Sequence, residues 1–307
     1  MSRDRATKPS APASSAAPGA TGLHDDTTSA DAYAPGFEED DQLRSDFIRQ
    51  LTLRQLRRDK AASRWERIDE AEPIPRTLVR FWHDPCGVPS DVRSCLESWD
   101  ALRDEGFTIR MFGDTSAEAY IAERYGSREL AAFAHCRHPA MRSDYLRMCF
   151  VLAEGGLYVD ADDVLLNSGW QDVFRDGTLK IQPLCYDVSA ERMVSASEIR
   201  RTDLPTDGRI FYVNNNPIAA PAGHEVLRRA LDRATERLLD GEPEPEIQST
   251  TGPGNMSAAL AAHARELHMK GSPADFELLL RWDETAEPRW DLAYRNDARN
   301  WRNMDSR

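Results

Sequence analysis

The chain reads as an α/β domain built around a largely parallel sheet, and three observations lead there. A strand-like run, Thr77 to Trp82, is followed by a helical stretch, Val92 to Ala101, and then by an alternating run, Phe107 to Phe112. A second helix, Ser116 to Tyr125, precedes a longer one that stops at Gly155-Gly156 and opens a short apolar strand, Leu157-Tyr158-Val159. Finally, 307 residues at 40% hydrophobic and 30% charged are enough for one large packed domain. Strands separated by helices are the sequence pattern of a layered α/β fold.

Each element has a local reason. Ile74-Pro75 leads into the first strand, and Asp84-Pro85 with Gly87 closes it in a turn. Beyond Asp163 the rhythm loosens: Leu179-Lys180-Ile181 and Phe211-Tyr212-Val213 are strand candidates, and His224 to Leu239 is an amphipathic helix. Gly241 to Pro253 reads as a loop, Met256 to His268 as a helix, and the stretch from Trp290 to Trp301 as a polar, aromatic tail.

Ahead of this domain (residues 73–307), two segments differ in composition. Residues 1–37 are rich in Ala, Ser, Pro and Gly and nearly lack large apolar groups, so a disordered tail is expected. Residues 38–72 place Leu43, Phe47, Ile48, Leu51, Leu56 and Trp65 at helical intervals, which predicts a helical extension on the main domain or a partner.

A net charge of -13 argues against general nucleic-acid affinity. Five cysteines scattered singly form neither a zinc motif nor a complete disulfide framework, and favour a reducing compartment. The N-terminus lacks the apolar core of a secretory signal, and no apolar run approaches the roughly 20 residues of a membrane span. A cytoplasmic location follows, with room for contact at a membrane surface.

The chemistry concentrates between Met141 and Leu166. The apolar strand ends in Asp160-Ala161-Asp162-Asp163, and carboxylates at the end of a buried strand are costly unless a cation meets them. A divalent metal bridging to a phosphorylated ligand is the usual answer, with Asp162 within reach of the same ion as Asp160. On the strand, Tyr158 and Asp160 share a side opposite Leu157 and Val159. On the preceding helix, Asp144 and Arg147 lie one helical turn apart and can face one spot, as a surface ion pair or as a grip on hydroxyls or phosphate. Trp82 is either core or a flat platform for a base, and Thr251 to Asn255 either a turn or a row of backbone donors.

Taken in order, these motifs resemble glycosyltransferase family 32, the DXD-containing sugar-transferring enzymes related to the glucosylating clostridial toxins. Ile74-Pro75-Arg76-Thr77-Leu78-Val79-Arg80-Phe81-Trp82 is similar to the family's opening element, although Val79 stands where a histidine is usual. Ser143-Asp144-Tyr145-Leu146-Arg147 and Gly155-Gly156-Leu157-Tyr158-Val159-Asp160-Ala161-Asp162 match its hallmark, and Asn215 to His224 and Thr251-Gly252-Pro253 its later segments. Asn300-Trp301 takes the place of the His-Trp or Ser-Trp pair many members carry.

The resemblance implies a GT-A fold and a retaining glycosyltransferase that depends on Mn²⁺ or Mg²⁺ and uses a UDP- or GDP-sugar, with a glycan, lipid, protein or natural product as acceptor. Asp162 would bind the metal and Asp160 would touch the sugar or ribose and the metal shell, making these two the catalytic pair. Trp82, Ser143, Asp144, Arg147, Tyr158 and Asn215 would line the donor site, and Asn300 and Trp301 would add a contact from the tail. Two rivals stand beside this. The same Asp160 and Asp162 fit the DxDx[TV] pattern of haloacid-dehalogenase-like phosphatases, and a transferase-like fold could serve as a non-catalytic scaffold.

Overall fold

Both faces of the innermost strands are covered, which is why their sequences run apolar without interruption. Leu78, Leu157 and Val159 join one core cluster with Trp99, Phe107 and Trp170. Val79 and Tyr158 join the larger cluster on the other face. The expected alternation of Tyr158 against Leu157 and Val159 is therefore what the fold uses.

The computed structural model describes residues 33–61, 72–241 and 246–297. In chain order its elements are α1 (Asp41–Ala61), β1 (Thr77–Phe81), α2 (Ser90–Glu97), β2 (Thr108–Phe112), α3 (Asp114–Arg124), α4 (Ser127–His135), α5 (Pro139–Glu154), β3 (Gly156–Tyr158) and β4 (Asp163–Leu165). Then follow β5 (Leu179–Asp187), β6 (Arg192–Met193), α6 (Ala196–Ile199), β7 (Arg209–Ala220) and α7 (Glu225–Leu239). The chain continues with α8 (Ile247–Thr250), α9 (Pro253–Lys270), β8 (Phe276–Leu278), α10 (Trp282–Thr285) and β9 (Ala286–Pro288).

The fold is α/β, in agreement with the GT-A expectation, but the sheet is mixed rather than largely parallel. Its order is β2-β1-β3-β7-β5-β6, with β8 added to β5. Parallel pairing joins β1 to β2 and to β3, and β5 to β8. β7 runs antiparallel to both β3 and β5, so the sheet changes sense beside the acidic cluster. The sequence hid this because β5 and β7 each contain residues that read as turns. A register shift between Ile181 and Pro183 absorbs the proline, and the asparagines of β7 are held by side-chain bonds described below.

Gly155 and Gly156 let α5 turn directly into β3. Their φ angles are +69° and +117°, and a Cβ at Gly155 would lie 2.9 Å from the Ala222 nitrogen. At Gly156 it would lie 2.7 Å from the Thr77 carbonyl oxygen, so neither position accepts a side chain.

The N-terminal helix is not an appendage. Phe47 and Ile48 are fully buried in the main core. The Phe211 N–H donates to Ser45 at 2.9 Å, and Arg49 donates to the Ile199 carbonyl at 2.9 Å. Tyr33 and Phe37, expected within the tail, pack on Phe47 with ring centroids 5.0 and 4.9 Å away. Residues 1–32 and Trp65 lie outside the described residues. No helix among the described residues is long and apolar enough to cross a membrane.

Candidate functional site

α5 begins with Pro139 at its first turn and His138 capping it, Nδ1 accepting the Ala140 N–H at 3.1 Å. Its spacing then sets Ser143, Asp144 and Arg147 on one buried face. Arg147 is the hub. Its Nη2 lies 3.1 Å from Asp144 and 2.8 Å from Asp160, so one guanidinium joins the helix to the strand end. It also donates to the Asn215 carbonyl at 2.7 Å and to Ser143 Oγ at 3.1 Å, and it covers the Tyr158 ring at 4.2 Å. Burial works against its charge, but Asp160, Tyr158, Asp144 and Asp162 more than restore it. The bland alternative of a surface ion pair is excluded, since Asp144 and Arg147 are 6% and 3% exposed.

Asp144 is held from two further sides. Asn215 donates to one carboxylate oxygen at 2.8 Å, and Thr251 to the other at 3.2 Å. Burial nevertheless pushes its carboxyl up to about 7, with Arg147 opposing and the Asp160 charge adding to the rise. The Thr251-Gly252 segment is thus a second-side clamp on Asp144, and Pro253 starts α9.

β3 delivers the acidic cluster at its carboxyl end, next to the carboxyl end of β1. Tyr158 shares a 2.6 Å hydrogen bond with Ser143 and donates to Asp160 at 3.0 Å. From β7, Asn216 accepts the Asp160 N–H and donates to Asp163, each at 3.0 Å. Below them, Arg80 is fully buried, directed at the carbonyls of Leu96, Asp160 and Asp163. Desolvation lowers its guanidinium to about 10 while Asp163 counters.

Asp162 faces a strap formed after β9, which pairs with β4. The Arg289 N–H donates to the Asp162 carbonyl at 3.0 Å, while Tyr294 and Arg295 both donate to its Oδ2. Trp82 closes this corner, 7% exposed, with Tyr294 edge-on to it at 5.2 Å. These groups line one cavity of about 450 Å³ that also contains Ser143, Asp144, Arg147, Asp160 and Asn215. It opens where open α/β sheets receive ligands.

The cavity is short of positive charge. Asp163 Oδ1 is buried with no hydrogen-bond partner among the described residues. Burial raises the Asp163 and Asp162 carboxyls, and neighbouring carboxylates push them further. An orphaned acidic oxygen on Asp163 beside Asp162, whose Oδ2 already attracts an arginine, suits a divalent cation. Ions such as Mg²⁺ take one or two protein carboxylates and complete their shell with phosphates and water, so a larger protein ligand set is not required.

The expected residues Trp82, Ser143, Asp144, Arg147, Tyr158, Asp160, Asp162 and Asn215 therefore meet in one place. Val79, in the position of the family's histidine, is fully buried core. Asn300 and Trp301 lie outside the described residues. Sequence reasoning missed Arg80, Asp163, Asn216, Tyr294 and Arg295. The asparagine triplet 214–216 was the one visible hint, because three amides in a strand need a reason to stay there.

The chain thus ends a buried strand in an Asp-x-Asp and wires it to an Asp/Arg pair on the preceding helix. Residues 89–178 match the model of the family described as "Glycosyltransferase sugar-binding region containing DXD motif", a stretch that runs from α2 to the threshold of β5. Over 212 residues it is 24% identical to the initiation-specific alpha-1,6-mannosyltransferase of Saccharomyces cerevisiae, covering 58% of this chain and 43% of that protein. The chain thus spans less than half the length of this curated relative. Among solved structures, the PaToxG Glycosyltransferase aligns at 15% identity with a TM-score of 0.45, over 74% of this chain and 83% of that one.

Proposed function

We propose that this chain is a metal-dependent glycosyltransferase that moves a sugar from a nucleoside-diphosphate donor to an acceptor, with retention of anomeric configuration. The observation that carries this is the single cavity in which Trp82, Asp144, Arg147, Asp160 and Asp162 converge at the carboxyl ends of β1 and β3. Asp162 would hold the Mn²⁺ or Mg²⁺ ion, and Asp160, fixed by Arg147 and Tyr158, would reach the ribose or sugar and the metal shell. When bound, such an ion stabilises the negative charge that gathers on a departing diphosphate.

The chain's own groups prepare the site before any ligand enters. Arg147 has its donors engaged by Ser143, Asn215, Tyr158 and Asp160, so it acts by fixing Asp160 and Asp144 rather than by moving. Asp144 presents acceptors for sugar hydroxyls, and Ser143 and Tyr158 supply adjoining hydroxyl groups. Trp82 lines the cavity wall beside Tyr294, where a base would meet it. Orienting donor and acceptor in one pocket provides much of the remaining acceleration.

Donor hydrolysis is the direct test. Wild type should cleave a UDP- or GDP-sugar only with Mn²⁺ or Mg²⁺, and Asp162→Ala should lose that activity. Metal-dependent phosphate release from simple monoesters without sugar cleavage would instead favour the phosphatase chemistry. Nucleotide binding without turnover across many acceptors would favour a scaffold.

A further inference from the structure

Two arginines pair with side-chain carboxylates of the acidic cluster, and they are built differently. Arg147 is enclosed by α5, β3 and β7 and cannot leave without breaking five hydrogen bonds. Arg295 sits on a 3-10 turn (Ala293–Asn296) at the cavity mouth. The stem of that turn is anchored by Ala293, whose N–H donates to Asp91 at 2.7 Å, and by Leu292, buried beside Trp82. Its guanidinium reaches Asp162, donates through Nε to the Arg289 carbonyl at 2.8 Å, and lies 4.3 Å from the ring centroid of Trp290. Trp290 itself is 55% exposed, so this end of the strap is open to solvent.

A divalent cation taking Asp162 Oδ2 would meet the Arg295 guanidinium at contact distance, where like charges repel in a partly desolvated site. We propose that Arg295 is a placeholder: it neutralises Asp162 while the metal is away, and turns onto the donor's diphosphate once the metal takes Asp162. Arginine's planar fork suits phosphate oxygens, and the anchored stem keeps it within the cavity. Metal and nucleoside diphosphate then bind cooperatively, since the ion frees the residue that holds the nucleotide. This inference rests on the function proposed above.

The test is binding, not turnover. Mn²⁺ alone is titrated into wild type, Arg295→Ala and Arg295→Lys, following the free ion by electron paramagnetic resonance. UDP and GDP are then titrated calorimetrically at saturating Mn²⁺. In Arg295→Ala, Mn²⁺ alone should bind tighter and the nucleotide weaker, each by about five-fold or more, so their mutual coupling falls. Arg295→Lys keeps a charge and should lie between the two. Arg295→Gln repeats the comparison if the alanine variant loses its circular dichroism. Unchanged or weaker Mn²⁺ affinity in the uncharged variants, or unchanged nucleotide affinity, overturns the placeholder while leaving the proposed function standing. A wild-type chain that binds neither Mn²⁺ nor either nucleotide overturns both.

Discussion

The side-chain oxygen of Asn216 accepts the backbone N–H of Asp160 at 3.0 Å. The nitrogen of the same amide donates to Asp163 at 3.0 Å, so one residue of the antiparallel strand sets both ends of the acidic turn. Removing it strands a backbone donor and an already under-satisfied carboxylate. Leaving a buried polar group unpaired costs about 1–3 kcal/mol, so Asn216→Ala should lower stability by roughly 2–4 kcal/mol in urea unfolding. A loss below half a kcal/mol would mean the turn holds its shape without the amide.

Arg147 bridges Asp144 and Asp160, both on the cavity wall. Truncating one partner of a buried ion pair costs about 3–5 kcal/mol, and Arg147→Met abandons two carboxylates at once. Arg147→Lys should recover little, because a single ammonium cannot reproduce contacts spread over three guanidinium nitrogens. Chemical unfolding of both variants checks this, and a lysine variant as stable as wild type would contradict it.

Asp162 is the carboxylate assigned to the metal. Asp162→Asn should abolish the Mn²⁺-induced rise in melting temperature and cut donor cleavage by at least about 100-fold, a small part of what a bound cation contributes. Chelation should do the same to wild type and nothing further to the variant. Full Mn²⁺ stabilisation of the variant would move the metal elsewhere.

Asp144 carries a pH signature in the metal-free protein. Its folded value, about 7, lies above the ordinary 3.8 chiefly because of burial. A raised acid favours the folded state fully below its unfolded value and loses that contribution as pH rises through the folded one. The stability difference between wild type and Asp144→Asn should therefore drift against wild type from about pH 4 to about pH 7, by on the order of a few kcal/mol, and then level off. Urea midpoints at unit pH steps give the curve, and a flat difference over that window would refute it.

Phe47 tests whether α1 belongs to the domain. It is buried with Tyr33 and Phe37 against the main core, so Phe47→Ala should cost about 3–5 kcal/mol. A helix that merely rested on the domain would lose far less, and calorimetry would then show its own separate transition.

What the sequence determined by itself was everything governed by local periodicity and local backbone chemistry. β1, β2, α3 and α5 fell within a few residues of expectation. Gly155-Gly156 marked the helix-to-strand turn, and the period of two along Leu157-Tyr158-Val159 told which side chains would face Asp160. Motif spacing collected Asp144, Arg147, Asp160 and Asp162 because helix pitch and strand pleat bring those residues together with no help from the rest of the chain.

Only the tertiary structure decided the sense of β7, the incorporation of α1, and the partners of the acidic cluster. Asn216 reaches Asp163 across 53 residues of sequence, Thr251 reaches Asp144 across 107, and Arg295 reaches Asp162 across 133. No periodicity in one chain encodes such contacts. They exist because strand order and packing on both faces of the sheet bring distant segments to one rim, where the cost of burying Asp144, Asp162 and Asp163 beside the half-buried Asp160 selects whatever donors arrive there.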